Sequence, residues 1–224
     1  MDLLHYGLQR SGTNLLEALL VRRFDVRFLN DNSDRGSPLQ KHVRLYDDKQ
    51  LIPEPQYSNQ ISVRDFAEFE ALFDSAPAYY LVISKDPYSW YLSYRKWARK
   101  CQWPVARHHY VEEYNRFYGK FLAFGAESRR SVFIRYVELL RDAAAVLADL
   151  ELRLGLKRRR AWSWRAGVPW KVAQSAHFPA ARRRYYLGEE YLAEYTDDEL
   201  RELNRRLDAG VVAGLGYEIR SRDS

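Results

Sequence analysis

Residues Leu3-Leu4-His5-Tyr6-Gly7-Leu8-Gln9-Arg10-Ser11-Gly12-Thr13-Asn14-Leu15-Leu16-Glu17 pass from an apolar run through a glycine-bracketed turn into a helical pattern. Gly7 and Gly12 stand five apart, the spacing of the glycines in the phosphate-binding loop G-x-x-x-x-G-K-[ST]. Thr13 occupies the lysine position of that motif, and Asn14 occupies the position of the magnesium-binding hydroxyl. A cation stands earlier in the loop instead, as Arg10. Glycines allow the tight turn, and the helix that follows aims unpaired N–H groups and its positive dipole end at whatever the loop encloses. Ser11, Thr13 and Asn14 add side-chain donors, and Arg10 adds a planar fork with a fixed charge. The plainer alternative is an ordinary strand–turn–helix junction capped by Ser11 or Thr13.

Working outward, the pattern predicts strands over Leu3–Tyr6, Val26–Leu29, Ala78–Ser84 and Ser131–Tyr136. Helices are expected over Asn14–Arg23, from Ser62 through Phe66, Phe69, Leu72 and Phe73, from Pro87 with Asp86 as its cap, and over Tyr110–Phe124. A further helix over Leu139–Leu154 should stop at Gly155. The tail from Glu189 to Leu207 reads as helical, with a capping box at Thr196–Glu199. Asn30–Pro38 is a polar loop. Tyr114, Phe117, Tyr118 and Phe121 recur at helical spacing and read as a core stripe. Strands alternating with helices predict a three-layer α/β fold with a central, mainly parallel sheet and a helical C-terminal segment, residues 1–224 forming one domain.

The chain has 224 residues, 46% hydrophobic and 29% charged, as in globular proteins. Cys101 is the single cysteine, which excludes an intramolecular disulfide and a cysteine-based zinc site. No apolar run approaches the roughly 18 residues of a membrane span. Met1-Asp2 leads straight into the first strand, so the expected compartment is the cytoplasm. The net charge of +6 and a pI near 9.3 favour an anionic partner. Lys157-Arg158-Arg159-Arg160, with Trp162, Trp164 and Trp170 nearby, and Arg182-Arg183-Arg184 are the densest basic runs. They read as solvated surface, as a lobe receiving a polyanion or, less favoured, as a nucleic-acid platform.

A second signal lies in Tyr80-Leu-Val-Ile-Ser-Lys85-Asp-Pro87-Tyr-Ser-Trp-Tyr-Leu-Ser93. A cation at the carboxyl end of an apolar strand and a serine eight residues on, two turns into a proline-opened helix, could meet on one ligand group. In open α/β sheets ligands bind outside the strands' carboxyl ends. With this pair in place, the chain resembles the sulfotransferases that use 3′-phosphoadenosine 5′-phosphosulfate. That family reads R-S-G-T-T or K-S-G-T-T in its 5′-phosphosulfate loop, matched by Arg10-Ser11-Gly12-Thr13-Asn14. Its 3′-phosphate motif reads R-x-P with a serine eight positions after the arginine. Lys85-Asp86-Pro87 and Ser93 match it, with lysine for arginine, which keeps the charge and loses the fork. Arg135-Tyr136-Val137-Glu138-Leu139 resembles the strand end Y-E-D-L, whose tyrosine contacts the nucleoside. The basic C-terminal segment that closes over the 3′-phosphate in many relatives has no clear counterpart.

The resemblance implies sulfonate transfer from 3′-phosphoadenosine 5′-phosphosulfate, as co-substrate, to an acceptor hydroxyl or amine, with no metal required. Arg10, Ser11, Gly12, Thr13, Asn14, Lys85, Ser93 and Tyr136 would hold the co-substrate. Arg10 would also stabilise charge on the leaving phosphate. For the general base, His42 comes first as a neutral imidazole near pH 7, Glu17 second and Asp86 third, Asp86 being better placed as a helix cap. Tyr88, Trp90, Trp97 and Trp103 flank the expected acceptor side, and core burial is an equal reading for half of them. By family analogy the acceptor is a saccharide or glycan, or another small molecule, whereas nucleic acid is not expected. Two rivals stand beside this reading. A P-loop kinase or NTPase would need lysine at 13 and a hydroxyl at 14, and a non-catalytic nucleotide- or nucleic-acid-binding protein would use the basic surface.

Overall fold

The computed structural model describes residues 1–32, 36–52, 59–104, 106–159 and 179–220. Arg160, Trp162, Trp164 and Trp170 of the first basic run lie outside them, as does part of the Asn30–Pro38 loop.

Four parallel strands form the central sheet: β1 (Asp2–Tyr6), β2 (Arg27–Phe28), β5 (Tyr79–Ser84) and β6 (Ser131–Arg135), in the order β2-β1-β5-β6. Their side chains alternate between two cores, as strand pleating requires. Leu4, Tyr6, Tyr80 and Val82 face one core. It is filled by α3 (Pro87–Lys100), α4 (Tyr110–Glu127), α7 (Asp197–Arg206) and α8 (Ala209–Gly214). Leu3, Leu81, Ile83, Val132 and Ile134 face the other, against α1 (Thr13–Arg23) and α5 (Tyr136–Leu154). Helices therefore cover both faces of a parallel sheet, the expected three-layer α/β arrangement.

Local chemistry sets the helix ends. Asp86 accepts from the Tyr88 and Ser89 amides (3.1 and 3.0 Å) and Pro87 opens α3, while Gly155 ends α5 with φ of 63°. Thr196 and Glu199 form the expected capping box. The aromatic stripe of α4 is buried, and its hydroxyls add a second job: Tyr114 donates to the Lys85 carbonyl (2.8 Å) and Tyr118 to that of Ile83 (3.0 Å). They hold the carboxyl end of β5 in place.

Two expectations change. Ser62 does not start a helix but ends β4 (Gln60–Ser62), which pairs in parallel with β3 (Arg44–Tyr46). α2 (Phe66–Glu70) begins later, because Asp65 accepts from the Glu68 amide (2.8 Å) as its cap. The tail is not one helix. After α6 (Ala180–Leu187), a 3₁₀ turn over Glu190–Glu194 precedes α7, and the chain is extended at Tyr195 and Thr196. Among the described residues no helix is long and apolar enough to cross a membrane.

Candidate functional site

β1, β5 and β6 are neighbours running the same way, so their carboxyl ends lie along one edge of the sheet. β1 delivers the Gly7–Gly12 loop there, β5 delivers Lys85 and β6 delivers Tyr136. The loop packs tightly enough to need both glycines. A Cβ at Gly7 would sit 2.8 Å from the Ile83 carbonyl oxygen, and one at Gly12, whose φ is 107°, would run into the Tyr136 ring. Gly12 is also the cap of α1: its carbonyl accepts from the Leu15 and Leu16 amides (3.0 and 3.1 Å), which leaves the Thr13 and Asn14 amides at the open end of the helix beside the loop.

The loop side chains divide. Ser11 and Thr13 are buried, and the Ser11 amide donates to the Leu8 carbonyl (3.0 Å), which shapes the turn. Arg10 is exposed and adopts a left-handed φ of 73°, a conformation costing a non-glycine residue about 1–3 kcal/mol. Its guanidinium stacks 5.0 Å from the Trp97 ring centre. Asn14 turns its amide oxygen to the ammonium of Lys41 (2.8 Å).

Lys85 and Ser93 do meet. The Lys85 ammonium donates to the Ser93 hydroxyl (2.7 Å), which donates to the Ser89 carbonyl (2.9 Å). Rings of Tyr186 and Tyr136 lie 4.2 and 5.4 Å from that ammonium. Burial pushes the Lys85 pKa well below its ordinary value, and the charge of Arg10 pushes the same way. An ammonium so placed lacks solvation that a bound anion would restore. A cavity of about 210 Å³ opens beside it, lined by Arg135, Tyr136, Arg141, Tyr186 and Arg220 among others.

No protein-family model and no curated protein matches this chain. Among solved structures it is similar to mouse sulfotransferase SULT7A1 complexed with PAP. The identity is 13%, with 92% of this chain and 82% of that chain covered and a TM-score of 0.47. At that level of likeness no residue role transfers.

The base candidates occupy three settings. His42 lies beside the loop, its Nδ1 2.7 Å from the Gly7 carbonyl oxygen. That carbonyl can only accept, so Nδ1 carries the proton and Nε2 keeps a lone pair. Burial lowers the His42 pKa to about 3. Glu17 accepts from Lys41 (3.0 Å) and lies 3.4 Å from Nε2 of His5. Burial works to raise its pKa, but the neighbouring His5 ring and the Lys41 charge outweigh it and leave it below the usual value. Asp86 is committed to capping α3, with its pKa raised by burial.

His42 therefore makes stability depend on pH. Its folded pKa lies below the unfolded value of about 6.5, so its contribution is complete above that value and is lost as pH falls towards 3. His42 is partly exposed, which trims the loss to about 1–2 kcal/mol between pH 7 and pH 5. Urea unfolding at the two pH values should show this loss in the wild type and a smaller one in His42→Gln. Equal losses would contradict the assignment.

Sequence reasoning missed two groups beside the loop. Lys41 is a buried cation touching Asn14, and its carbonyl accepts from the Gly7 amide (3.2 Å). Gln9 is gripped at both ends: Trp90 Nε1 donates to its carbonyl (3.0 Å) and Arg44 Nη2 to its side-chain oxygen (3.1 Å). Arg44 in turn pairs with buried Glu113 (2.7 Å). Of the four aromatics expected on the acceptor side, Tyr88 and Trp90 are core residues, Trp103 packs against the core, and Trp97 borders an open cleft.

Proposed function

We propose that this chain is a sulfotransferase, moving a sulfonate group from 3′-phosphoadenosine 5′-phosphosulfate to a hydroxyl or amine of a saccharide or glycan acceptor. The observation that carries the reading is the Lys85–Ser93 pair, a desolvated ammonium and a hydroxyl brought together on the same sheet edge as the Arg10 loop. The motifs Arg10–Asn14, Lys85–Ser93 and Tyr136 support it by their family order. The loop amides and Asn14 bind the 5′-phosphate end, Lys85 and Ser93 the 3′-phosphate, and Tyr136 the nucleoside.

Transfer is an in-line displacement. The acceptor oxygen or nitrogen forms a bond to sulfur while the bond from sulfur to the phosphate oxygen breaks, and adenosine 3′,5′-bisphosphate leaves. Arg10 meets the charge growing on that leaving oxygen, the kind of preorganised stabilisation that dominates such reactions. His42 takes the acceptor's proton on Nε2. With a pKa near 3 it stays neutral and available throughout the physiological range, though it is a weak base. Glu17 stands behind Lys41 and Asn14 and fixes that side of the loop through charge.

A transfer assay with radiolabelled sulfonate donor and a saccharide panel tests the reading. In the wild type the rate should show no titration near pH 6.5, and His42→Ala should lower it about 10²-fold or more. Near-normal turnover in His42→Ala would remove His42 as the base.

A further inference from the structure

We propose that the cleft along the outer half of α3 is the acceptor site, and that it takes a negatively charged saccharide whose ring stacks on Trp97. The inference rests on the sulfotransferase reading and adds where the acceptor lies and what charge it carries.

Two cavities meet here, and among the described residues Tyr186 is the one that lines both. The larger, about 630 Å³, is lined by Arg10, Ser93, Lys96, Trp97, Lys100 and Arg182 among others. That volume falls in the range of small-molecule sites. Ser93, at the inner end, is assigned to the co-substrate, as is Arg10, whose guanidinium reaches over Trp97. The helical rise carries Trp97 about 6 Å and Lys100 about 10 Å beyond Ser93 along α3. The outer part of the cleft thus extends past the groups that hold the co-substrate, with Arg10 bordering it.

Its charge is lopsided. Among the described lining residues four cations face two carboxylates, and Lys96 pairs with Glu194 (2.6 Å), so the excess charge rests on Arg10, Lys100 and Arg182 against Glu190. Trp97 is half-buried, with the Arg10 and Lys100 charges 5.0 and 5.8 Å from its ring centre. A phenol would want apolar walls around its ring. A neutral sugar would find the indole but bring no charge to match the excess positive charge. An anionic saccharide uses both, its C–H face on the indole and its carboxylate or sulfate on the cations.

The full chain, saturated with adenosine 3′,5′-bisphosphate, is titrated by calorimetry with p-nitrophenyl β-glucuronide and with p-nitrophenyl β-glucoside, which differ at one carboxylate. The glucuronide should bind roughly tenfold or more tightly, and more weakly as salt rises. Lys100→Ala should cut that preference several-fold, and Trp97→Ala should weaken both sugars. Equal binding of the two sugars, no binding of the glucuronide, or indifference to both substitutions would overturn the proposal. Failure of the bisphosphate itself to bind would instead sink the sulfotransferase reading on which the proposal stands.

Discussion

Arg10→Ala should lower sulfonate transfer by about 10²–10³-fold while leaving the unfolding midpoint within about 2 °C of wild type. The two halves of this expectation have separate causes. Arg10 is exposed, its guanidinium stacks on Trp97 at the cleft, and it is held in a left-handed conformation that favours other residues. Removing its side chain therefore costs the fold little. The same exposure and strain put its charge at the loop mouth, where the leaving phosphate would develop negative charge. Arg10→Lys should recover part of the rate, since it restores charge without the planar fork. Turnover of Arg10→Ala near the wild-type level would reject Arg10 as the stabilising group.

Glu113→Ala should destabilise the protein by about 3–5 kcal/mol, read as a fall of roughly 6–20 °C in Tm. Glu113 and Arg44 are both buried side chains. One carboxylate oxygen accepts from Arg44 Nε (2.9 Å) and Nη2 (2.7 Å) and from the Tyr94 hydroxyl (3.0 Å). The other lies 3.0 Å from His108 Nε2. Truncating the carboxylate leaves the guanidinium buried without its opposite charge, which costs far more than the pair contributes when intact. Arg44→Met with Glu113→Leu should recover much of the loss, because both charges leave together. It would still release the side chain of Gln9, so its co-substrate affinity should stay below wild type. A loss under about 1 kcal/mol in Glu113→Ala would show that the pair is not the anchor described.

The readable parts of the chain were those in which a few adjacent residues decide the geometry. Gly7 and Gly12 announce a tight loop, Asp86-Pro87 announces the start of α3, and Thr196–Glu199 its own capping box. The eight-residue step from Lys85 to Ser93 predicted their meeting because strand end and helix lie on one continuous stretch. β3 and β4 were missed because each has three residues and no alternating pattern, so their pairing depends on tertiary contact. Ser62 was misread because Asp65, three residues later, competes for the same helix start and wins. Lys41, Arg44 and Tyr186 reach the site from distant segments. No local pattern marks a lysine that will be buried against Asn14 or a tyrosine that will cover Lys85.

Calorimetric titration of the full chain with adenosine 3′,5′-bisphosphate and, separately, with Mg-ATP tests the central claim most directly. The bisphosphate should bind at least about 100-fold more tightly, since the proposed function gives Lys85 and Ser93 to a 3′-phosphate and Asn14 offers no magnesium-binding hydroxyl. Binding should take up protons, because an anion stabilises the charged form of a Lys85 whose pKa burial has depressed, and affinity should fall as pH rises. A preference for Mg-ATP would contradict the account.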